Sequence, residues 1–561
     1  MKQAWAGQRV FQILDTSFGD GQRWREILAA WRSDSARPLS LHYVALQAAH
    51  VQELDDFNGD SCGALPDATD VVRDEFEHGA VMRTLFEGDL TTGLRALRMD
   101  ADLILLTGGT AFDAWAAKLL VRCCHRGTRL WAADVSEAPA IALAEQGFER
   151  LNLDAKGHWL RHYNPRWQPK NRKQATGLHP AAKNAIVVGA GLAGASTAYA
   201  LARRGWQVLV LDAAPEPARG ASSLPLGLMA AHTSVDDSPR SRLTRAGVHM
   251  TRSQASQLLV RGEDWDESGL LTLKPGVAPQ FQAQGAWVKP QAMVNAWLSA
   301  PGIRFRGGAQ VASLQWIEAQ EGNANSSVKA GEWQIQAPSN AVLGRAALVV
   351  LAAAGGSLEI LRHVATGASS KPLEQAGQTI LLPRLMDVPG QVSWGGHLAA
   401  DNAWAPGFAV NGHGYLAANI PMSVSMNVSM RSATDASINA ERLWLTGATF
   451  EDQAYPLAEP EAHAQNLARL QQLLPGAAAA LQPRFDAGQV QAWRQVRCTT
   501  PDRLPICGPV GESAPGLWLN VGFGARGLTW SVLCAELLAA RLHNEPWPLA
   551  ARLAAKLDYR V

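Results

Sequence analysis

The stretch from Ala185 to Asp212 constrains this chain more than any other. Residues Ala185–Val188 form a short apolar strand, and Gly189-Ala190-Gly191-Leu192-Ala193-Gly194 follows at once. STAYALARRG then reads as a helix closed by Gly205, and WQVLVLDA as a second strand ended by Asp212. Strand, glycine turn, helix and strand in that order make a βαβ unit suited to a dinucleotide. Gly189 permits the tight turn, Gly191 lets the backbone approach a pyrophosphate, and Gly194 lets helix and strand pack closely. The helix N-terminus offers N–H groups and a partial positive charge to phosphates. Asp212 stands where a carboxylate accepts hydrogen bonds from a ribose. A glycine run that serves only helix packing is the alternative. The fingerprint by itself does not choose between FAD and NAD(P).

Glycines far downstream favour the longer cofactor. Gly220-Ala221-Ser222-Ser223 lies just beyond the second strand, and the apolar run Leu348–Gly356 comes much later. Gly522-Phe523-Gly524-Ala525-Arg526-Gly527 then precedes a helical run, which presents another helix N-terminus. An extended FAD reached from both ends of one domain makes sense of this return; ordinary turns are the alternative.

At 561 residues the chain is too long for one ordinary core, so two or more domains are expected. Lys+Arg (51) and Asp+Glu (50) nearly cancel, so any nucleic-acid binding must use a local patch. Six cysteines (Cys62, Cys123, Cys124, Cys498, Cys507, Cys534) include no CxxC pair and no metal-ligand spacing, which fits a reduced, cytoplasmic protein without a metal site. The N-terminal residues lack a long apolar segment, so no signal peptide is expected. The longest apolar run, near Ala346–Ala354, is far short of the ~20 residues that span a bilayer.

Before the fingerprint, strand and helix patterns alternate. RVFQILDT, SLHYVALQA, ADLILLTGG and TRLWAADV read as strands, and GQRWREILAAWR as an amphipathic helix, which predicts an α/β domain with a parallel sheet. A polar segment with Arg161, Arg166, Lys170, Arg172 and Lys173 follows. It reads as a linker, either a solvated tether or a strap for phosphates. Ser423–Ser437, rich in Ser and Asn, reads as a loop or edge hairpin. The expected division is a first domain over 1–160, a linker over 161–183 and a second domain over 184–561. Within the last, 184–260, 340–360 and 500–550 would hold the cofactor and 265–500 the substrate.

The second domain resembles a known family. GASSLPLG, GYLAA, LWLTGATFEDQ, HAQNLARLQQLLP, VRCTTPDRLPICGPVG and GFGARGLT are similar to the flavin half of the bifunctional tRNA 5-methylaminomethyl-2-thiouridine biosynthesis proteins, the MnmC type. That half belongs to the wider D-amino-acid-oxidase-like (DAO) superfamily. The motifs extend from Ala185 to Leu549, and WLTGATFE and CTTPDRLP are the specific ones. The first domain resembles the methyltransferase half more weakly. The resemblance therefore implies a Rossmann-like methyltransferase-type domain followed by an FAD-binding α+β domain.

Three departures mark the first domain. The loop expected to hold S-adenosylmethionine reads Ser17-Phe18-Gly19-Asp20-Gly21. The acid expected to bind the ribose is Gln47, and the family's Asp-Gly-Phe reads Thr107-Gly108-Gly109. The family's N-terminal extension is also not seen, since Met1 lies just before the first strand. In the second domain, an Asn-Pro expected near the flavin ring reads Leu224-Pro225.

The resemblance implies an FAD-dependent oxidation at a CH–NH group. The carboxymethyl arm of 5-carboxymethylaminomethyl-(2-thio)uridine, at the wobble position in the anticodon region of tRNA, would be removed to give the aminomethyl uridine. A carboxylate beside the reacting carbon calls for a buried cation, and arginine suits it. Arg497 in VRCTTPDRLP and Arg526 in GFGARG are the candidates, with Tyr415 in HGYLAA closing over the carboxylate. His413 reads as structural. Gly189, Gly191, Gly194, Asp212, Ala221, Ser222 and Gly524 are the expected FAD contacts. With its three departures, the first domain is expected to transfer no methyl groups. Three other readings stay open: the first domain methylates with S-adenosylmethionine, it serves only to dock tRNA, or the substrate is a free amino acid such as glycine or sarcosine.

Overall fold

The computed structural model describes residues 2–47, 71–107, 112–133, 137–153, 159–167, 183–318, 331–366, 380–398, 402–422 and 442–560. Two compact units emerge from the contacts. One comprises Met1–Leu178, His232–Ser253 and Glu536–Asp558, and the other His179–Ala231, Gln254–Ala535 and Tyr559–Val561.

The first unit is built on an eight-stranded sheet. Val10–Asp15 lies between the parallel strands Ser40–Gln47 and Ala101–Thr107. Val81–Glu87 and Cys124–Ala133 extend the parallel set on either side. Antiparallel strands finish both edges: Val71–Phe76 on one side, and Trp159–Tyr163 with Phe148–Leu153 on the other. The helix Gln22–Arg32 buries Trp24, Ile27, Leu28 and Trp31 at i, i+3, i+4 and i+7. That spacing puts four large side chains on one stripe against the sheet core of Phe11, Ile13, Leu41 and Tyr43.

The four strands read from sequence are present. Val81–Glu87 and the three antiparallel strands were not read from it, and Trp159–Tyr163 runs into the segment that composition marks as linker. There Arg161 is buried and donates to the Phe148 carbonyl at 3.4 Å. Arg166 is exposed, whereas Lys170, Arg172, Lys173, Gly108, Gly109 and Ser423–Ser437 lie outside the described residues. The linear division also differs from the contacts, because His232–Ser253 and Glu536–Asp558 pack with the first unit. His249 Nε2 meets Asp74 Oδ1 at 2.8 Å, and Gln12 Nε2 donates to the Asn544 carbonyl at 3.1 Å.

The second unit holds the fingerprint. Its six-stranded sheet runs Ile303–Arg306, Gln207–Leu211, Asn184–Val188, Leu348–Leu351, Leu517–Val521, Ile506–Pro509. The first five are mutually parallel and the last is antiparallel. Parallel strands buried on both faces are near-continuous apolar runs, as AIVV and LVVL are. A buried Asn520 donates to Thr197 Oγ1 at 2.9 Å, tying the strand Leu517–Val521 to the helix Leu192–Ala202. A seven-stranded sheet carries Gly414–Pro421, Arg442–Gly447, Met386–His397 and Gln491–Thr499 as consecutive antiparallel neighbours. Among the described residues no helix is long and apolar enough to cross a membrane.

Candidate active site

A cavity of ≈ 1110 Å³ opens in the second unit, walled by the fingerprint turn, the Gly522–Gly527 turn and the seven-stranded sheet. The fingerprint turn is set by close backbone approaches. Gly189 has φ +108°, and a Cβ there would lie 2.6 Å from the Ala352 carbonyl oxygen. A Cβ on Gly194 would fall 1.8 Å from the Gly189 oxygen, which is how closely helix and turn pack.

Asp212 holds the turn from the next strand. Its Oδ2 accepts the Ala190 N–H at 2.6 Å and its Oδ1 accepts the Ala214 N–H at 2.8 Å. Each carboxylate oxygen keeps acceptor capacity for a ribose hydroxyl. Ser222 Oγ accepts the Leu192 N–H at 3.0 Å, and a Cβ on Gly191 would lie 2.9 Å from that same oxygen. One of the N–H groups at the helix start, expected to face a phosphate, is thus already bonded within the protein. Ala221 is exposed in the short turn Ala221–Ser223. From the far end, Gly524 at φ +55° donates its N–H to the Cys498 carbonyl at 2.8 Å, and the helix Gly527–His543 begins just beyond. These residues fit an extended dinucleotide: a bare glycine cradle at one end, a carboxylate beside it and a second helix start across the cavity.

The same cavity reaches the sheet strand Gln491–Thr499, where Arg497 is buried. Its Nη2 donates to the Thr449 carbonyl at 2.5 Å and lies 3.5 Å from the Pro389 carbonyl. Its guanidinium carbon sits 4.3 Å from the centroid of the Phe450 ring. Gly390 makes room for it, since a Cβ there would stand 1.6 Å from Nη2. Arg497 Nε is buried without a partner among the described residues, so it is a donor in place for an acceptor that enters the cavity. Burial lowers the Arg497 pKa from its ordinary value, and neighbouring Tyr415 and Glu451 oppose that shift. Burial raises that of the Tyr415 phenol, which stays neutral as a hydrogen-bonding group.

Every proposed contact except Gly194 lines the cavity; Gly194 acts behind the turn. Arg526 is half-buried in the cavity wall, and His413 also lines it, with its ring exposed. Sequence reasoning missed Arg469, Trp493, Phe450 and Cys498, all of which line the cavity. Arg469 donates through Nη1 to the Ala448 carbonyl, and burial lowers its pKa. A signal for it existed. In the helix Glu459–Leu473, Ala462, Asn466, Arg469 and Leu473 fall on one stripe, with two polar residues among apolar ones. Trp493 Nε1 donates to Ser223 Oγ at 2.9 Å, linking the seven-stranded sheet to the turn beside the fingerprint. The Cys498 thiol is pushed up to about 12, first by burial and then by Asp387, and so remains protonated.

Comparison with known proteins gives the family. Residues 184–300 and 252–541 match the family model of FAD dependent oxidoreductases (DAO). The tRNA 5-methylaminomethyl-2-thiouridine biosynthesis bifunctional protein MnmC of Albidiferax ferrireducens is 38% identical over 602 residues, covering 100% of this chain and 94% of the relative. The chain belongs to the MnmC family. Its namesake in a Polaromonas species is 37% identical, with 99% of this chain and 91% of the relative covered. Among solved structures, glycine oxidase from Geobacillus kaustophilus aligns with 65% of this chain and 96% of its own, at 16% identity and a TM-score of 0.45. The MnmC family, with its FAD-dependent oxidoreductase part, is the one that the sequence resemblance implied.

Proposed function

We propose that the second unit removes the carboxymethyl arm from 5-carboxymethylaminomethyl-(2-thio)uridine at the wobble position of tRNA. The observation that carries this reading is the buried Arg497, with an unpartnered Nε, in the same cavity as the glycine cradle. A substrate carboxylate on Arg497 brings its neighbouring methylene toward the cofactor end of that cavity. FAD held by the glycine cradle would supply the two-electron oxidant for that methylene, and water would then split the oxidised C–N bond, releasing glyoxylate and leaving the aminomethyl uridine. Arg497 binds and orients the carboxylate by charge-assisted bonds. Tyr415, neutral, donates to the same carboxylate, and Arg526 borders it from the opposite turn. Gly189, Gly191, Gly194, Asp212, Ala221, Ser222 and Gly524 form the FAD cradle.

Under anaerobic conditions, tRNA carrying the carboxymethylaminomethyl group should bleach the flavin rapidly, while glycine, sarcosine and D-alanine bleach it slowly or not at all. Mass spectrometry of the recovered nucleosides should show the aminomethyl uridine. Fast bleaching by the free amino acids and none by tRNA would replace this reading with a free-amine oxidase.

The first unit is assigned no methyl transfer. Asp15, which ends the central strand, accepts from the Tyr43 hydroxyl at 2.6 Å and pairs with Arg23 Nε at 3.0 Å. Its Oδ1 accepts the Ser17 N–H at 3.0 Å, so the loop after this strand is tied down on its own acid. Phe18 in that loop is buried, and its N–H donates to the Leu46 carbonyl at 2.8 Å. A neutral Gln47 ends the next strand, and Thr107 stands where a carboxylate would orient the reacting amine. Calorimetry should detect no S-adenosylmethionine binding, and radiolabel from it should not enter aminomethyl-uridine tRNA. Incorporation at enzymatic rates, abolished by substitutions in the first unit, would restore the bifunctional reading.

A further inference from the structure

Phe450 is a large aromatic residue left 62% exposed in the wall of the cavity. Its two neighbours are pinned. The Thr449 N–H donates to the Gln391 carbonyl at 3.0 Å, and Thr449 Oγ1 donates to Glu451 Oε1 at 2.6 Å. The Glu451 N–H donates to the Pro389 carbonyl at 3.0 Å, and Glu451 Oε2 pairs with Arg494 at 2.6 Å. A segment held this firmly keeps an apolar ring in water rather than folding it inward. One side of the ring is occupied by the Arg497 guanidinium at 4.3 Å. Its exposed area is therefore directed away from Arg497.

We propose that Phe450 is the platform on which the base of the substrate stacks while the arm of that base reaches Arg497. The inference rests on the functional reading above and assigns a residue that sets specificity within it. From ring carbon to carboxylate carbon, the arm C–CH2–NH–CH2–COO spans about 5 Å at standard bond lengths. The Arg497 guanidinium carbon lies 4.3 Å from the Phe450 ring centroid. A base stacked about 3.5 Å beyond the other face therefore stands about 8 Å from that carbon. An arm of about 5 Å running past the ring edge, followed by a carboxylate–guanidinium contact of about 4 Å between carbons, covers that separation. A free amino acid gains nothing from such a platform. A base pulled out of a stacked loop gains back the stacking it gave up.

The test uses the full-length FAD-loaded protein and an anticodon stem-loop RNA with 5-aminomethyluridine at the wobble position. This product form has no carboxylate, so its binding does not report the Arg497 contact. Stacking a base on an aromatic side chain is worth roughly 5- to 150-fold in affinity. Phe450→Ala should weaken binding by that factor, Phe450→Leu should do likewise although it keeps an apolar side chain, and Phe450→Trp should restore it. A stem-loop abasic at the wobble position should bind the wild type and Phe450→Ala equally. Equal affinity of wild type and Phe450→Ala for the base-bearing loop would overturn the proposal. So would an equal loss on both loops, because Phe450 would then contact something other than the base. If the wild type neither binds the loop nor is bleached by its carboxymethylaminomethyl form, the functional reading itself fails.

Discussion

Replacing Arg497 with alanine should lower kcat/KM for the carboxymethylaminomethyl substrate by roughly one to two decades and leave FAD bound. The size follows from the loss of charge-assisted hydrogen bonds to a carboxylate, about 1.5–3 kcal/mol. FAD should stay because the polar partners of Arg497, the Thr449 and Pro389 carbonyls, belong to the substrate side of the cavity and not to the glycine cradle. The wild-type guanidinium is anchored through Nη2 and keeps Nε for the substrate, an arrangement that depends on the planar fork. Arg497→Lys should therefore recover only part of the loss, since an ammonium cannot hold two carbonyls and a carboxylate in one plane. Flavin absorbance gives the FAD content, and stopped-flow reduction gives the rate. An unchanged kcat/KM in Arg497→Ala would remove the residue from the site.

Much of the cofactor cradle was legible because its physics is local. Gly189, Gly191 and Gly194 sit within six residues, and Asp212 ends the very next strand, so spacing alone places them in one turn. The structure adds what spacing does not carry: Asp212 holds the turn through the Ala190 N–H, and Ser222 Oγ takes the Leu192 N–H. Arg497 was legible only through its motif. Arg469 and Phe450 were not read as site residues, because their roles arise from tertiary contact. Arg469 lies on a helix whose overall pattern is that of a surface helix. Phe450, between Thr449 and Glu451, carries no local sign of a role until its exposure in the cavity wall is seen.

The boundaries were hard for a similar reason. Arg161 and its neighbours have linker composition, yet hydrogen bonding across to Phe148–Leu153 makes them a strand with the arginine buried. His232–Ser253 and Glu536–Asp558 read naturally as parts of the second domain. Nothing local announces that His249 will meet Asp74, 175 positions away. Periodicity reports which face of an element is buried, not what buries it.

Gly194→Ala should cost the protein its FAD, whereas Gly476→Ala should not. Both glycines are helical, in Leu192–Ala202 and Pro475–Asp486, and both changes add one methyl group. At Gly194 that methyl would stand 1.8 Å from the Gly189 carbonyl oxygen and 2.8 Å from its carbon. These are backbone atoms, so no side-chain rotation relieves the clash; the helix Leu192–Ala202 or the turn must move. The turn is not free to move. The Gly189 N–H donates to the Leu211 carbonyl at 2.7 Å, and the Ala190 N–H to Asp212 at 2.6 Å. Displacing the helix would carry away the Leu192 N–H that Ser222 holds and the backbone that a pyrophosphate must approach. Overpacking of this kind costs about 1–3 kcal/mol in stability, so a lower Tm should accompany a colourless preparation. At Gly476 nothing lies within 4 Å of the added methyl, and the residue is helical, where alanine is favoured over glycine. Gly476→Ala should be as yellow as wild type and melt at the same temperature or slightly higher. If Gly194→Ala retains a full complement of FAD, the close approach of helix and turn does not shape the cradle, and the assignment of Gly194 is wrong.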